Sequence, residues 1–181
     1  MGKLLFSYGT MASAKSANLL MKCHQHTETG IQCILLKPHL DNRWEEKYIT
    51  SRAVEGKPCE LIYNKTDIKD FFFSLIKPGS TFVSLFVDEI HFLTANHIEQ
   101  LWELSRLEDI YVEVHCYGLM VNYLNETFKS SNKLFIHSDE KECLKSKCQY
   151  CSNDASTHLR IVNGVPIKSV KDENDVFKVG D

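Results

Sequence analysis

The chain has 181 residues, of which 43% are hydrophobic and 25% are charged, and is long enough to bury the core of one ordinary domain. Its formal net charge of −3 argues against nucleic acid as the main partner, because a polyanion favours a concentrated basic face. The first apolar run, residues 4–6, is far too short for a signal core or a membrane span. We therefore expect a cytoplasmic protein with no membrane partner, whose seven scattered cysteines are reduced.

Short apolar runs alternate with amphipathic segments over the first 120 residues. The runs predict strands over 3–8, 32–37, 59–64, 81–89 and 110–119. The amphipathic segments predict helices over 16–28, 66–77 and 94–107, with Thr66 and Thr94 as N-caps and Gly30 closing the first helix. The polar stretch 39–57 predicts a loop. This alternation indicates an α/β fold, a parallel sheet with helices on both faces.

The character of the chain changes after about residue 140. Two short apolar pieces, 159–162 and 165–167, flank an Asn163-Gly164 turn, close to a pair of cysteines. We expect two units, a nucleotide-binding α/β domain over 1–140 and a small β lobe over 141–181.

The first strand runs into a segment close to a phosphate-binding loop, in which Ala14 takes the place of the second glycine. Backbone N–H groups and a helix N-terminus would meet an anion there, Lys15 would add charge, and Ser16 would offer a hydroxyl to Mg²⁺. The methyl of Ala14 would crowd the phosphates unless its φ is negative. The alternative is an ordinary helix start. The candidate nucleotide-binding residues are Gly9, Thr10, Met11, Ala12, Ser13, Ala14, Lys15 and Ser16.

The strongest strand signal, 81–89, ends in Asp88 and Glu89. In phosphate-loop folds an acid at the end of a neighbouring strand holds Mg²⁺, which assigns Asp88 to the metal together with Ser16. Glu89 could accept a proton from a substrate hydroxyl. Alternation along a strand would point the two carboxylates to opposite faces. The alternative is a solvated strand end.

Cys148 and Cys151 form a C-x-x-C pair, which supplies half of a tetrahedral zinc site. Cys143 and His158 are close enough in sequence to provide further ligands. The alternative is a pair of ordinary reduced thiols.

The order of these motifs resembles the type II thymidine kinases over nearly the whole chain. The matching segments are the phosphate loop 8–20, a flexible loop with an aspartate–arginine pair at 40–52, a D-E-x-Q-F-like segment at 86–93, a C-Y-G-L-like segment at 116–128, and a zinc-ribbon-like lobe that begins at the cysteine pair. The resemblance implies a P-loop fold and transfer of the γ-phosphate of ATP to the 5′-hydroxyl of thymidine.

The resemblance also implies residue roles. Glu89 would be the general base, Lys15 and Ser16 would contact the ATP phosphates and metal, and Arg52 would lie near the transferring phosphoryl group. Met11 would lie beside the deoxyribose. The apolar walls around thymine would be Phe92, Leu119, Tyr123 and Phe128. Family members are commonly homotetramers, which implies the same here.

The chain departs from the family pattern at several positions. They are Ala14 for Gly, His91 for Gln, Met120-Val121-Asn122 for Arg-Thr-Asp, and Asn125 for Gly. The sequence also stops at residue 181, where the family continues into a loop over thymidine and a second pair of zinc ligands. Two alternatives follow: a nucleotide-binding paralogue with impaired catalysis, or another P-loop enzyme, an ATPase or a kinase for a different acceptor.

Overall fold

The computed structural model describes residues 1–41 and 47–167. Its helices are α1 (Lys15–Glu28), α2 (Ile68–Leu75), α3 (Ala95–Leu104) and α4 (Lys129–His137), with a 3₁₀ turn at Ile90–Phe92. Its strands are β1 (Lys3–Gly9), β2 (Gln32–Pro38), β3 (Tyr48–Ile49), β4 (Lys57–Pro58), β5 (Glu60–Ile62), β6 (Phe82–Val87), β7 (Tyr111–Gly118), β8 (Glu140–Leu144), β9 (Ile161–Val162) and β10 (Val165–Pro166). No helix in these ranges is long and apolar enough to cross a membrane.

Six strands form one parallel sheet in the order β5-β2-β6-β7-β1-β8. The predicted α/β fold is therefore confirmed. Because neighbouring side chains of a strand point to opposite faces, β6 contributes Val83, Leu85 and Val87 to one core and Phe86 to the other. The larger core packs against α2, α3 and α4, and the smaller one against α1. Helices thus cover both faces, and the carboxyl ends of the strands share one edge.

Of the two predicted N-caps, one is present in the structure and the other is not. Thr94 caps α3 as predicted, and its hydroxyl accepts from the backbone N–H of His97 at 3.2 Å. Thr66 does not cap α2. The cap is Asp67, whose carboxylate accepts from the N–H groups of Lys69 and Asp70. The hydroxyl of Thr66 instead accepts from the N–H of Tyr63, inside the preceding turn.

The helix α4 and the strand β8 were not predicted, and neither were the short strands β3 and β4 or the 3₁₀ turn. The strand β8 pairs with β1 from Leu5↔Glu140 to Gly9↔Leu144, so the main sheet extends to Leu144 and the expected division at 140 falls inside a strand. The division into two domains stays a prediction.

The predicted loop 39–57 contains the short antiparallel pair β3–β4, and its residues 42–46, which include part of the family-like aspartate–arginine segment, lie outside the described residues. Beyond β8, the predicted Asn163-Gly164 turn joins β9 and β10, with both residues at positive φ. Residues 168–181 also lie outside the described ranges.

Candidate active site

The phosphate loop connects the end of β1 to the start of α1. A Cβ on Gly9 would lie 2.2 Å from the carbonyl oxygen of Leu144, so only glycine fits there. Ala12 and Ala14 have φ of 60° and 58°, in the left-handed region that L-residues rarely adopt. The condition of a negative φ at Ala14 is therefore not met. The chain adopts the glycine-type conformation with an alanine, at the cost of local strain.

Lys15 is 7% exposed and its ammonium is held inside the loop. Its Nζ donates to the carbonyl of Thr10 at 2.7 Å, to Ser13 Oγ at 3.3 Å and to the carbonyl of Gly9 at 3.5 Å. A buried ammonium surrounded by loop backbone concentrates positive charge where a helix N-terminus already favours an anion. The loop is therefore built to attract phosphate.

Ser16 and Asp88, which were both assigned to Mg²⁺ from the sequence, are in direct contact. Ser16 Oγ donates to Asp88 Oδ2 at 2.7 Å, and the N–H of Glu89 donates to Asp88 Oδ1 at 3.0 Å. Asp88 is 4% exposed, and burial followed by the neighbouring Glu89 charge raises the pKa of its carboxyl to about 7. A nearby cation would therefore stabilise the ionised form of this carboxyl.

Glu89 does not continue the strand. Its φ of 48° turns the backbone out of β6, which ends at Val87, so the alternation rule does not separate it from Asp88. The prediction that the two carboxylates point to opposite faces is wrong. Both line one cleft, whose walls are Ser16, Lys37, Asp41, Tyr48, Ile49, Thr50, Asp88 and Glu89.

One polar residue of this cleft, Lys37, was not singled out from the sequence, whereas Asp41 is the aspartate of the family-like aspartate–arginine pair in 40–52. Lys37 is 1% exposed, and its Nζ donates to the carbonyl of Tyr48 at 3.1 Å and lies 4.0 Å from Asp41 Oδ2. The available signal was a lysine closing the otherwise apolar run of β2, where an unpaired charge would be costly. Arg52, predicted near the phosphoryl group, is exposed on the segment between β3 and β4.

His91 joins Glu89 to the predicted thymine walls. Its Nδ1 accepts from the N–H of Leu119 at 3.2 Å and lies 3.4 Å from Glu89 Oε2. The rings of Phe92 and Phe128 lie 4.2 and 4.9 Å from the imidazole, measured between centroids. Leu119, Phe92 and Phe128 therefore share one apolar environment beside the predicted base.

The fourth wall residue, Tyr123, and Met11, which was predicted beside the deoxyribose, are placed differently. The ring of Tyr123 lies under the guanidinium of Arg160 at 5.6 Å, and its buried hydroxyl has no hydrogen-bond partner in the described structure. Met11 is 43% exposed, and its N–H donates to His158 Nδ1 at 3.4 Å. The buried hydroxyl of Tyr123 is therefore an available donor for a bound ligand.

The segment that departs from the family pattern has a compact local structure of its own. The Asn122 side chain accepts from the N–H groups of Leu124 and Glu126 at 2.8 and 3.0 Å. Asn125 has a φ of 64°, a conformation that asparagine tolerates better than most residues. The replacement of glycine by asparagine is thus compatible with the turn.

The cysteine pair lies on the segment after β8. The N–H of Tyr150 donates to Cys148 Sγ at 3.4 Å and is the main cause of the lowered pKa of that thiol. Among residues 1–41 and 47–167, neither Cys143 nor His158 joins the pair in a three-ligand cluster. His158 instead faces the phosphate loop through Met11. Zinc binding by Cys148 and Cys151, with Cys143 or His158 as candidate further ligands, stays a prediction.

Comparison with known proteins agrees with this geometry. The sequence profile of the family described as thymidine kinase matches residues 2–181. A thymidine kinase of Streptococcus thermophilus (strain CNRZ 1066) is 36% identical over 168 residues, which cover 92% of this chain and 83% of the relative. The thymidine kinase of Enterobacteria phage T4 is 32% identical over 183 residues, covering 100% and 90%. The chain belongs to the thymidine kinase family.

Proposed function

We propose that this thymidine kinase uses ATP and Mg²⁺ and transfers the γ-phosphate to the 5′-hydroxyl of thymidine. The observation that carries the proposal is the convergence of Lys15, the Ser16–Asp88 pair and Glu89 at one edge of the sheet. Phosphoryl transfer needs little covalent chemistry from the protein, which has only to position the reactants and neutralise charge.

The residues present fit a magnesium ion. Ser16 Oγ and Asp88 Oδ2 are 2.7 Å apart, and adjacent ligands of an octahedral Mg²⁺ with 2.0–2.1 Å bonds are separated by about 2.9 Å. Mg²⁺ prefers oxygen donors and keeps several waters, so one hydroxyl and one carboxylate suffice when phosphate oxygens complete the shell. When bound, the ion would neutralise the developing negative charge.

The remaining residues take roles around the two substrates. Gly9 to Ser16 would hold the ATP phosphates through backbone N–H groups and the Lys15 charge, and Arg52 would approach the transferring phosphoryl group. Glu89 would accept the proton of the 5′-hydroxyl. The thymine base would lie against Phe92, Leu119, Tyr123 and Phe128, with Met11 beside the sugar, because aromatic and aliphatic faces suit a flat pyrimidine.

We also propose a cytoplasmic location, a homotetramer, no nucleic-acid or membrane partner, a domain and lobe divided near residue 140, and zinc held by Cys148 and Cys151. The net charge of −3 supports the absence of a nucleic-acid partner. The close C-x-x-C spacing supports the metal.

Transfer of labelled phosphate from ATP to thymidine, with Mg²⁺, tests the reaction. We expect transfer that disappears in Lys15→Ala and persists in Lys65→Ala, since Lys65 is exposed in the turn after β5, which lies four strands from β1 in the sheet. ATP hydrolysis that is indifferent to thymidine would favour a different P-loop enzyme. ATP binding with no turnover would favour the impaired paralogue.

The role of Glu89 is tested by Glu89→Gln, which keeps the shape of the side chain and removes its basicity. We expect kcat to fall by about 10²-fold or more with little change in ATP affinity. An equal loss of ATP binding would make Glu89 a metal or folding residue instead.

A further inference from the structure

A cluster of three metal-ligating side chains lies on the face of the sheet that α1 covers. His26 comes from the last turn of α1, and Glu113 and His115 are alternate residues of β7, so the two share one face of the strand. One donor atom from each of the three lies within 4.8 Å of the other two. Helix and strand thus converge on one point with two imidazoles and a carboxylate.

Both histidines are held in place by neighbouring side chains. His26 Nδ1 shares a hydrogen bond with Ser84 Oγ at 2.7 Å, which leaves the other ring nitrogen available. The ring of His115 stacks on the ring of Phe86, with 4.7 Å between the centroids and 10° between the planes. The ring of His26 meets the ring of His115 edge-on, with 5.4 Å between the centroids. Hydrogen bonds to the far nitrogen and packing of the ring are the usual means of orienting a metal-binding histidine.

We propose that His26, His115 and Glu113 form a binding site for a divalent transition metal of the Zn²⁺ type, in addition to anything bound at the C-x-x-C pair or the phosphate loop. Two imidazole nitrogens and one carboxylate are a ligand set that Zn²⁺ takes, with water as the fourth ligand.

The distances support this assignment. His115 Nε2 and Glu113 Oε2 are 3.3 Å apart, and two ligands of a tetrahedral Zn²⁺ with bonds of 2.0–2.1 Å are separated by about 3.3 Å. A donor atom of the partly buried His26 lies within 4.8 Å of each of the other two donor atoms, so a small shift of this side chain would close the triangle. The ion would replace the proton that His115 and Glu113 share.

The site is separate from the reaction. His26 is eleven residues along α1 from Lys15, so the cluster is about 16 Å from the phosphate loop at 1.5 Å per residue. Glu113 lies near the start of β7, whereas the cleft forms at the carboxyl ends of the strands. The role that follows is structural: the metal would fasten the C-terminal end of α1 to the centre of the sheet.

The test uses the full chain without an affinity tag, in a Cys148→Ser/Cys151→Ser background, with excess Mg²⁺ to occupy the phosphate-loop site. Co²⁺ and Zn²⁺ are titrated, with binding followed by equilibrium dialysis and by thermal unfolding. We expect one equivalent of metal, with a Co²⁺ spectrum that lacks the intense near-ultraviolet absorption of thiolate ligands. At about 100 times the Kd, Zn²⁺ should raise Tm by about 5–10 °C.

Matched variants assign the ligands. His26→Gln and His115→Gln should lose the metal and its Tm increase, and Ser84→Ala should weaken binding by about tenfold or more. His24→Gln, which changes an exposed residue of the same helix, should bind like the parent. If His115→Gln does not fold, the half-exposed His26 carries the test. Equal binding by the parent, His26→Gln and His24→Gln, or no binding by the parent, would overturn the proposal.

Discussion

Ala14 shows how a single methyl group can burden a functional loop without dismantling it. It is exposed and has a φ of 58°, so its Cβ contributes strain and little packing. A left-handed conformation costs an alanine about 1–2 kcal/mol, and a glycine variant would be relieved of this strain. Part of that relief is offset, because the unfolded glycine variant has more conformational entropy to lose on folding.

We therefore predict that Ala14→Gly raises the free energy of unfolding by about 0.5–1 kcal/mol and tightens ATP binding. Denaturant unfolding and an ATP titration measure the two effects. The control is Ala17→Gly in the first turn of α1, where the alanine is helical and buried and the same change should destabilise the protein by about 0.5–1 kcal/mol. A loss of stability in Ala14→Gly would show that Ala14 is not strained.

Asp88 carries an electrostatic cost in the metal-free protein. Because the pKa of its carboxyl in the folded protein, about 7, is above its unfolded value, the folded state binds more protons between these two pKa values. The sign is therefore opposite to that of a salt-bridged aspartate. Stability contributed by this group falls as pH rises from about 4 through about 7, and the penalty is complete above that.

Asp88→Asn removes this penalty while keeping the side-chain shape. Without Mg²⁺ or nucleotide, we predict that the variant is more stable than the parent at pH 8, and that its advantage is about 1–3 kcal/mol smaller at pH 5. Thermal unfolding at the two pH values measures the difference. The same variant should lose Mg²⁺-dependent transfer. An advantage independent of pH would show that the carboxyl of Asp88 is not the titrating group.

At the scale of elements, the N-terminus of a helix can be stabilised by only one or two side-chain hydrogen bonds. The start of α3 is fixed by a reciprocal pair, in which Thr94 Oγ1 accepts from the N–H of His97 and His97 Nδ1 accepts from the N–H of Thr94. Since Thr94 is exposed, its hydroxyl acts mainly through this cap.

We predict that Thr94→Ala destabilises the protein by about 1 kcal/mol, which lowers Tm by about 2–4 °C. Thr94→Ser, which retains the hydroxyl, serves as the control and should stay near the parent. Indistinguishable melting of the alanine and serine variants would exclude the cap as the source of stability.

The elements that the sequence did not reveal are those formed by distant partners. In α4, the buried Ser130 and Ser131 donate to the carbonyls of His91 and Leu119, so polar residues occupy positions where a helical pattern would be apolar. The strand β8 is mostly exposed, and its position comes from pairing with β1. Local hydrophobic periodicity predicts neither, although it located the strands and helices that bury apolar faces.

The site divides in the same way. The phosphate loop and the Asp88–Glu89 pair could be singled out from the sequence, because each is a short run of consecutive residues of characteristic types. The approach of Lys37 and His91 to Glu89 depends on how the strands and the 3₁₀ turn pack. The same is true of the metal cluster, in which Glu113 and His115 are visible as alternate strand residues but His26 is far away in sequence.

At the scale of the whole molecule, ligand binding and folding are linked, because the phosphate loop exists only in the folded chain. We predict that Mg²⁺-ATP at about 100 times its Kd raises Tm by about 5–10 °C. Differential scanning calorimetry measures this shift. Lys65→Ala should retain it and Lys15→Ala should lose most of it. A full shift in Lys15→Ala would mean that ATP stabilises the protein at another site.

The pairing of β1 with strands from much later in the chain has a consequence for the order in which the protein is made. Its Lys3 pairs with Glu113 and its Leu5 with Glu140, and Gly9 packs against the carbonyl of Leu144. β1 is thus translated long before its neighbours β7 and β8, and its buried Leu4 and Phe6 lack these strands until that later part of the chain is made. A nascent chain that carries the whole phosphate-loop sequence still lacks the strands that shape the loop, so we expect nucleotide to assist folding only after translation has passed Leu144.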